Sequence, residues 1–372
     1  MWRRNLVIHL RRQFRIALRW LSLAVIGGLS RSELTGLDRF PRRGPYIVAG
    51  NHRGIMEVAL MVMAAPAEIE IIGAGDIPLD RRYRYFANMY GYIPYRRGQL
   101  DRQALREAQH VLERGGVVGI FPEGGIWQNG RSSAHRGVAW LSFTTGAPVI
   151  PVGFGGVSRA IHELVTLEFP RLEGRVGAPI SPGDEDPALP RKARMEHFAE
   201  SVLDHIEELI PQWDREVHDT VRDQSYELIA QVEESRTGAV REVQHDLYRP
   251  DLLAKLLHFP TLVNVFYLNL ARKSTGAMRR PNRWLPVDKL EKAAQVIYGY
   301  SRVTNPGFFR YRFGNDEAAQ LDRALLSFCR FLAQAREQDP KARIKLIPIY
   351  RYRRVGEAEL HEERHPDYTP WL

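Results

Sequence analysis

The sequence predicts an α/β fold in which short strands alternate with helices in a layered sandwich. Three observations predict it. From Tyr46 to about Pro211, apolar runs of four or five residues alternate with stretches whose apolar residues recur at helical spacing. Glycines stand where those stretches must stop, Gly115-Gly116 after one and Gly146 after another. The residues able to do chemistry stand at the ends of the apolar runs and in the turns that follow, where loops over a rigid sheet bring side chains together.

The first element, residues 1–35, reads as an amphipathic membrane-docking helix. At about 100° per residue, Arg4, Arg11, Arg15, Arg19 and Ser22 fall on one side, and Leu6, Leu10, Phe14, Ala17, Leu21 and Ala24 on the other. An interfacial helix has this composition, with its apolar face in the acyl boundary and its arginines at phosphate headgroups. The same pattern suits a helix packed on its own domain, and with Gly28 and Ser30 it loosely imitates a secretory signal. The arginine-free run, Trp20 to Leu29, is shorter than the roughly 20 apolar residues of a span, so no conventional span is expected.

Residues 36–211 form the main domain. Its candidate strands are Tyr46–Ala49, Glu70–Gly73, Val117–Phe121, Val149–Gly153 and Val165–Phe169, and its candidate helices are Met56–Ala65, Asp101–Arg114 and Arg136–Thr145. Pro179, Pro182, Pro187 and Pro190, with Gly183 and neighbouring acids, mark a linker before a helix over Lys192–Leu209. Residues 212–372 read as a mainly helical region of unknown role. Charged helical stretches run to about Gln244. The apolar segment Leu252–Leu270, broken by Pro260, is either membrane-facing or core, since periodicity does not separate the two. An amphipathic helix over Asp316–Arg336 and a strand at Ile344–Tyr350 follow.

With 372 residues the chain suffices for one main domain with additions. Its single cysteine, Cys329, excludes an intramolecular disulfide framework and a cysteine-rich zinc site, and suits a small buried apolar role. The net charge of +9 is concentrated at the start: ten arginines lie between Arg3 and Arg43, against only Glu33 and Asp38. Between them stand bulky apolar residues, and aromatic-basic modules are absent. The partner expected is therefore an anionic membrane surface and not nucleic acid.

The chemistry begins at Asn51-His52-Arg53-Gly54-Ile55-Met56-Glu57. A neutral imidazole within hydrogen-bond reach of an alcohol can take its proton as the oxygen attacks a carbonyl. Such a base works best with a carboxylate on its other nitrogen, and a turn between strand and helix can bring Glu57 to His52. Alone the pair is weak, since His218 and Asp223 share its spacing. Three further signatures in order give it weight: Gly91-Tyr92-Ile93-Pro94-Tyr95-Arg96-Arg97, Phe121-Pro122-Glu123-Gly124 and Val149-Ile150-Pro151-Val152-Gly153. Arg97, and less distinctly Arg96, offers a planar fork for a phosphate. The Glu123-Gly124 turn offers exposed amides for an anion or oxyanion and a carboxylate for acceptor hydroxyls or neighbouring basic groups. Arg131, His135 and Arg136 add basic groups nearby. Pro151 either lines an acyl groove or marks an edge strand.

Over roughly residues 40–211, these four signatures resemble the lysophosphatidic acid acyltransferases, the glycerophospholipid acyltransferase family. The resemblance implies a glycerol-3-phosphate acyltransferase-like mixed sheet flanked by helices, with His52 as general base, Glu57 as its orienting carboxylate and Arg97 on the acceptor phosphate. It further implies direct transfer from acyl-CoA or acyl carrier protein as co-substrate, with no cofactor or metal, at the cytoplasmic face of the cell membrane as a peripheral or monotopic protein. Two departures stand out. Glu57 replaces the commoner aspartate, and Gly125 and Ile126 stand where the family has threonine and arginine. Either Arg131 or Arg136 substitutes for that missing phosphate ligand, or the acceptor is a glycolipid or another alcohol without a phosphate. A non-catalytic lipid-binding protein on the same fold is the remaining reading.

Overall fold

The computed structural model describes residues 2–52, 56–75, 85, 88–96, 100–124, 136–157, 160–184, 186–218, 221–258, 284–304 and 307–364. They divide into two compact units, one ending at His218 and one beginning at Val221. The first unit thus runs past residue 211, the boundary expected from composition.

The first unit runs α1 (Trp2–Leu29), β1 (Arg31–Thr35), β2 (Tyr46–Gly50), α2 (Met56–Ala64), β3 (Ile69–Ala74), β4 (Ile93–Tyr95), α3 (Arg102–Glu113), β5 (Val117–Ile120), α4 (Gly137–Thr145), β6 (Val149–Gly155), α5 (Ala160–Val165), β7 (Arg171–Val176), α6 (Arg191–Leu209) and α7 (Gln212–His218). Its strands make one seven-stranded sheet in the order β1-β7-β6-β2-β5-β3-β4. Strands β6, β2, β5, β3 and β4 are mutually parallel; β7 runs antiparallel to β6, with β1 parallel to β7 at the far edge. The sheet is therefore mixed and mostly parallel, with helices on both faces, as expected.

Burial on both faces explains why the central strands read as continuous apolar runs. Along β2 the side chains alternate: Ile47 and Ala49 join Val118 and Val149 in a core with α3, α4 and α6, while Tyr46 and Val48 join Ile150 and Val152 in a second core with α2 and Ile26 of α1. Asp101 caps α3, its carboxylate accepting from the backbone N–H groups of Gln103 and Ala104, and Gly115 and Gly146 take the left-handed conformation that ends α3 and α4.

Two segments depart from expectation. Val165–Phe169 is not a strand. Val165 closes α5, Leu167 and Phe169 have positive φ, and the strand comes next, at Arg171–Val176. Its charged residues hid it: Glu173 is buried between Arg171, Arg175 and Trp213, so a carboxylate sits where the pattern requires an apolar residue. Pro151 does not mark an edge, because β6 lies between β2 and β7. Val149 donates to Ile180 across the side away from β2, and strand alternation puts the Pro151 nitrogen on that same side, at the break between Ile180 and β7. The missing N–H costs the parallel ladder nothing.

The second unit comprises β8 (Val221–Glu233), β9 (Val240–Glu242), α8 (Pro250–His258), β10 (Leu285–Pro286), α9 (Val287–Gly299), α10 (Phe308–Gln338, kinked at Gly314), β11 (Arg343–Arg354) and β12 (His361–Arg364). The helices expected in Leu252–Leu270 and over Asp316–Arg336 are present and pack on an antiparallel sheet ordered β10-β11-β8-β9, with β12 on β11. Of that sheet only Ile344–Tyr350 was anticipated. The stretch read as charged helix contains β8 and β9. Its Leu228, Ala230 and Val232 alternate into the core, a period of two that helix-favouring Glu, Gln and Ala residues obscured. Leu252–Leu270 begins as α8, whose Leu252, Leu253, Leu256 and Leu257 are core; residues 259–270 lie outside the described residues. Cys329 is half-buried against the same core, and burial pushes its thiol up to about 11.

Candidate active site

Level strand ends bring the first and third signatures together. Ala49 on β2 pairs with Ile120 on β5 and with Pro151 on β6, so Asn51-His52 and Phe121–Gly124 leave the sheet side by side at its carboxyl edge. Ligands gather at that edge in open parallel sheets.

Asn51 is 1% exposed, and its side chain does the work of a strand that has ended. Its Nδ2 donates to the Phe154 carbonyl at 3.0 Å, and its Oδ1 accepts from the Phe154 N–H at 2.7 Å. His52 is therefore presented from a turn clamped to β6. Its ring stacks on Phe121 at 4.2 Å between centroids, and its backbone N–H donates to Glu123 Oε1 at 3.2 Å. The ring is half-buried, with Nδ1 sealed from solvent. Glu57, in the first turn of α2, is fully buried. A carboxylate in that place must be held by hydrogen bonds or opposite charge.

These contacts give Glu123 a definite task. Its carboxylate joins the third signature to the main chain of the first. The Gly124 amide is also committed: it donates to Phe121 O at 3.1 Å, closing the turn, with Gly124 at φ 68°. The turn therefore does not offer that amide to an oxyanion.

The second signature sits farther along the same edge. Ile93, Pro94 and Tyr95 pair with Ile72, Gly73 and Ala74 of β3, and β3 pairs with β5. Arg96 thus leaves β4 three strand spacings from β2, roughly 14 Å, a gap that an arginine and a histidine side chain can span together with a ligand. The Arg96 N–H donates to Asp101, the cap of α3. Arg97, Arg131 and His135 lie outside the described residues. Arg136 precedes α4 and is paired with Glu196 of α6 at 2.7 Å, so its charge is already matched within the unit.

Helix α1 turns Arg15 of its arginine face inward. Arg12 pairs with Glu68, and buried Arg15 pairs with Glu70 while donating to the carbonyls of Tyr90 and Gly91. Leu6, Val7, Leu10, Trp20, Leu21 and Val25 face outward. The apolar stripe is where the periodicity put it, but Arg15, on the face assigned to headgroups, holds the helix to its own unit. No helix of the described residues is long and apolar enough to cross a membrane. Asn51 and Arg15 are the structural contributors that sequence reasoning missed. The only signal for Asn51 was an amide directly after an apolar run.

Comparison with known proteins bears on this arrangement. The model of the Acyltransferase family matches residues 31–155, from β1 to the end of β6 and so through all four signatures. Residues 31–155, about a third of the chain, are thus similar to the Acyltransferase family. The resemblance that the signatures carried is met at that level, and the matched segment is the part of the first unit that holds His52, Glu57, Glu123 and Pro151. Among solved structures the chain is similar to the 1-acyl-sn-glycerophosphate (LPA) acyltransferase PlsC from Thermotoga maritima, with 20% identity and a TM-score of 0.40 over 52% of this chain and 80% of that one. No curated protein matches the chain.

Proposed function

We propose that this protein is a membrane-associated O-acyltransferase that moves a fatty acyl chain from acyl-CoA or acyl carrier protein to a hydroxyl of a lysophospholipid such as 1-acyl-glycerol-3-phosphate. The observation that carries the reading is the presentation of His52 at the carboxyl edge of a parallel sheet, stacked on Phe121 and tied to Glu123, in a segment matched by an acyltransferase model. The His52 imidazole takes the acceptor proton as the hydroxyl oxygen bonds to the thioester carbonyl carbon. The carbon–sulfur bond then breaks, and the imidazolium returns the proton to the departing thiolate, so no group is left on the enzyme. Glu57 orients the ring and balances the imidazolium. Arg97, with Arg96 beside it, holds the acceptor phosphate, and Pro151 lines the acyl groove. The outward stripe of α1 docks the first unit on the cytoplasmic leaflet, so lipid substrate and product need not leave the bilayer surface.

With labelled acyl-CoA and 1-acyl-glycerol-3-phosphate, His52→Ala is expected to lower the transfer rate by about 10² to 10⁴. Transfer at the wild-type rate overturns the mechanism. A second reading keeps the chemistry and changes the acceptor to a glycolipid or another alcohol without a phosphate. It is favoured by Gly125 and Ile126 in place of threonine and arginine and by the Arg136–Glu196 pair. A panel of lysophospholipids and glycolipids, with products identified by mass spectrometry, separates the two.

A further inference from the structure

Strand β4, which leads into Arg96 and Arg97, is three residues long and pairs on one side only, at the end of the sheet. Such a strand is marginal by itself, yet the proposed acceptor site depends on where it ends. What supports its approach is α1. Arg15 is 8% exposed; its Nε donates to Tyr90 O at 2.9 Å and its Nη2 to Gly91 O at 3.0 Å. Its Nη1 pairs at 3.2 Å with Glu70 of β3, the neighbour of β4. The guanidinium also lies over the Tyr90 ring, whose hydroxyl donates to Ile69 O at 2.8 Å on the same strand. Gly91 has φ 71°, and a Cβ there would stand 2.5 Å from Cδ of Arg11, so a second α1 arginine lies across the same turn.

We infer that Arg15 is a positioning residue for acceptor binding: one guanidinium locks the turn before β4 to β3 and to α1, coupling the interfacial helix to the arginines that follow β4. The inference rests on the acyl-transfer reading for its kinetic half and on geometry alone for the rest. A fork with several fixed donors is required, since a lysine ammonium cannot reach two carbonyls and a carboxylate in one plane. The coupling also gives the outward stripe a second use, because whatever seats α1 steadies the turn that α1 grips.

The test uses the full-length protein in neutral detergent micelles, with Arg15→Gln, Arg15→Lys and, as a charge-matched control, Arg12→Gln. Hydrogen exchange followed by mass spectrometry reads the peptide over residues 90–96 without any substrate. Charge-assisted bonds of this kind are worth about tenfold in a local opening equilibrium. Arg15→Gln should therefore exchange about tenfold faster in that peptide, with the β5 peptide unchanged, Arg15→Lys intermediate and Arg12→Gln like wild type. In transfer assays Arg15→Gln should raise KM for 1-acyl-glycerol-3-phosphate about tenfold, with kcat and the acyl-CoA KM within about twofold. Unchanged exchange over residues 90–96, or equal rises in both KM values, overturns the inference. A wild type inactive on every acceptor overturns the functional reading and the kinetic half with it, while the exchange data still decide the positioning.

Discussion

Replacing Leu10 and Leu21 of α1 by serine should weaken vesicle binding without disturbing the fold. The two residues lie three turns apart on the outward stripe and are 54% and 59% exposed. Complete burial of a leucine side chain is worth about 1.5–3 kcal/mol. Roughly half of each is still in water in the free protein, so each contributes about 1 kcal/mol on entering the acyl boundary, and the pair about 2 kcal/mol. That corresponds to about a thirtyfold loss in partitioning. Sedimentation with vesicles of fixed phosphatidylcholine and phosphatidylglycerol content reads the loss directly, and circular dichroism checks that the fold is kept. Arg12→Ser is the comparison, since Arg12 already pairs with Glu68. A loss below about threefold for the double variant, or an equal loss for Arg12→Ser, refutes the argument that the apolar stripe docks the protein.

Two further outcomes follow from the first unit. Glu123→Gln keeps an oxygen that can accept from the His52 N–H and should retain most of kcat, whereas Glu123→Ala should lose about tenfold; acceptor binding weakened equally by both would return Glu123 to the acceptor. Tyr46 is fully buried, its hydroxyl has no hydrogen-bond partner among the described residues, and burial pushes its phenol up to about 12. A folded-state value above the unfolded one leaves stability intact below about pH 10 and removes it as pH rises toward the folded value. Tyr46→Phe should therefore be about 1 kcal/mol more stable than wild type at pH 7, with the difference widening between pH 10 and 12. Urea titrations at several pH values measure it, and a difference flat across that window would contradict the burial argument.

How much could be read beforehand depended on whether local pattern and tertiary environment agreed. They agreed in β2, β5 and β6, where burial on both faces demands continuous apolar runs, and at Asp101, Gly115 and Gly146, where the backbone itself sets the residue type. The positions of His52 just after a strand and of Glu57 in the first turn of the next helix were legible because both are set locally. They disagreed in β7, where Glu173 is buried by partners both nearby and forty residues on, and in β8, whose partner β11 lies more than a hundred residues away. The inward turn of Arg15 was hidden for the same reason: a helical wheel separates two faces but does not say which of them meets protein, and Glu70, Tyr90 and Gly91 decide that here.

The Asn51 amide, engaging both backbone groups of Phe154, has a consequence for fidelity. One side chain supplies a donor and an acceptor to a single residue, so no shifted alignment of β2 on β6 can keep half of the match. Sliding by one residue would forfeit both bonds and bury the amide unsatisfied. The imidazole next door is thereby indexed to a single rung of the sheet, as a key is to its wards.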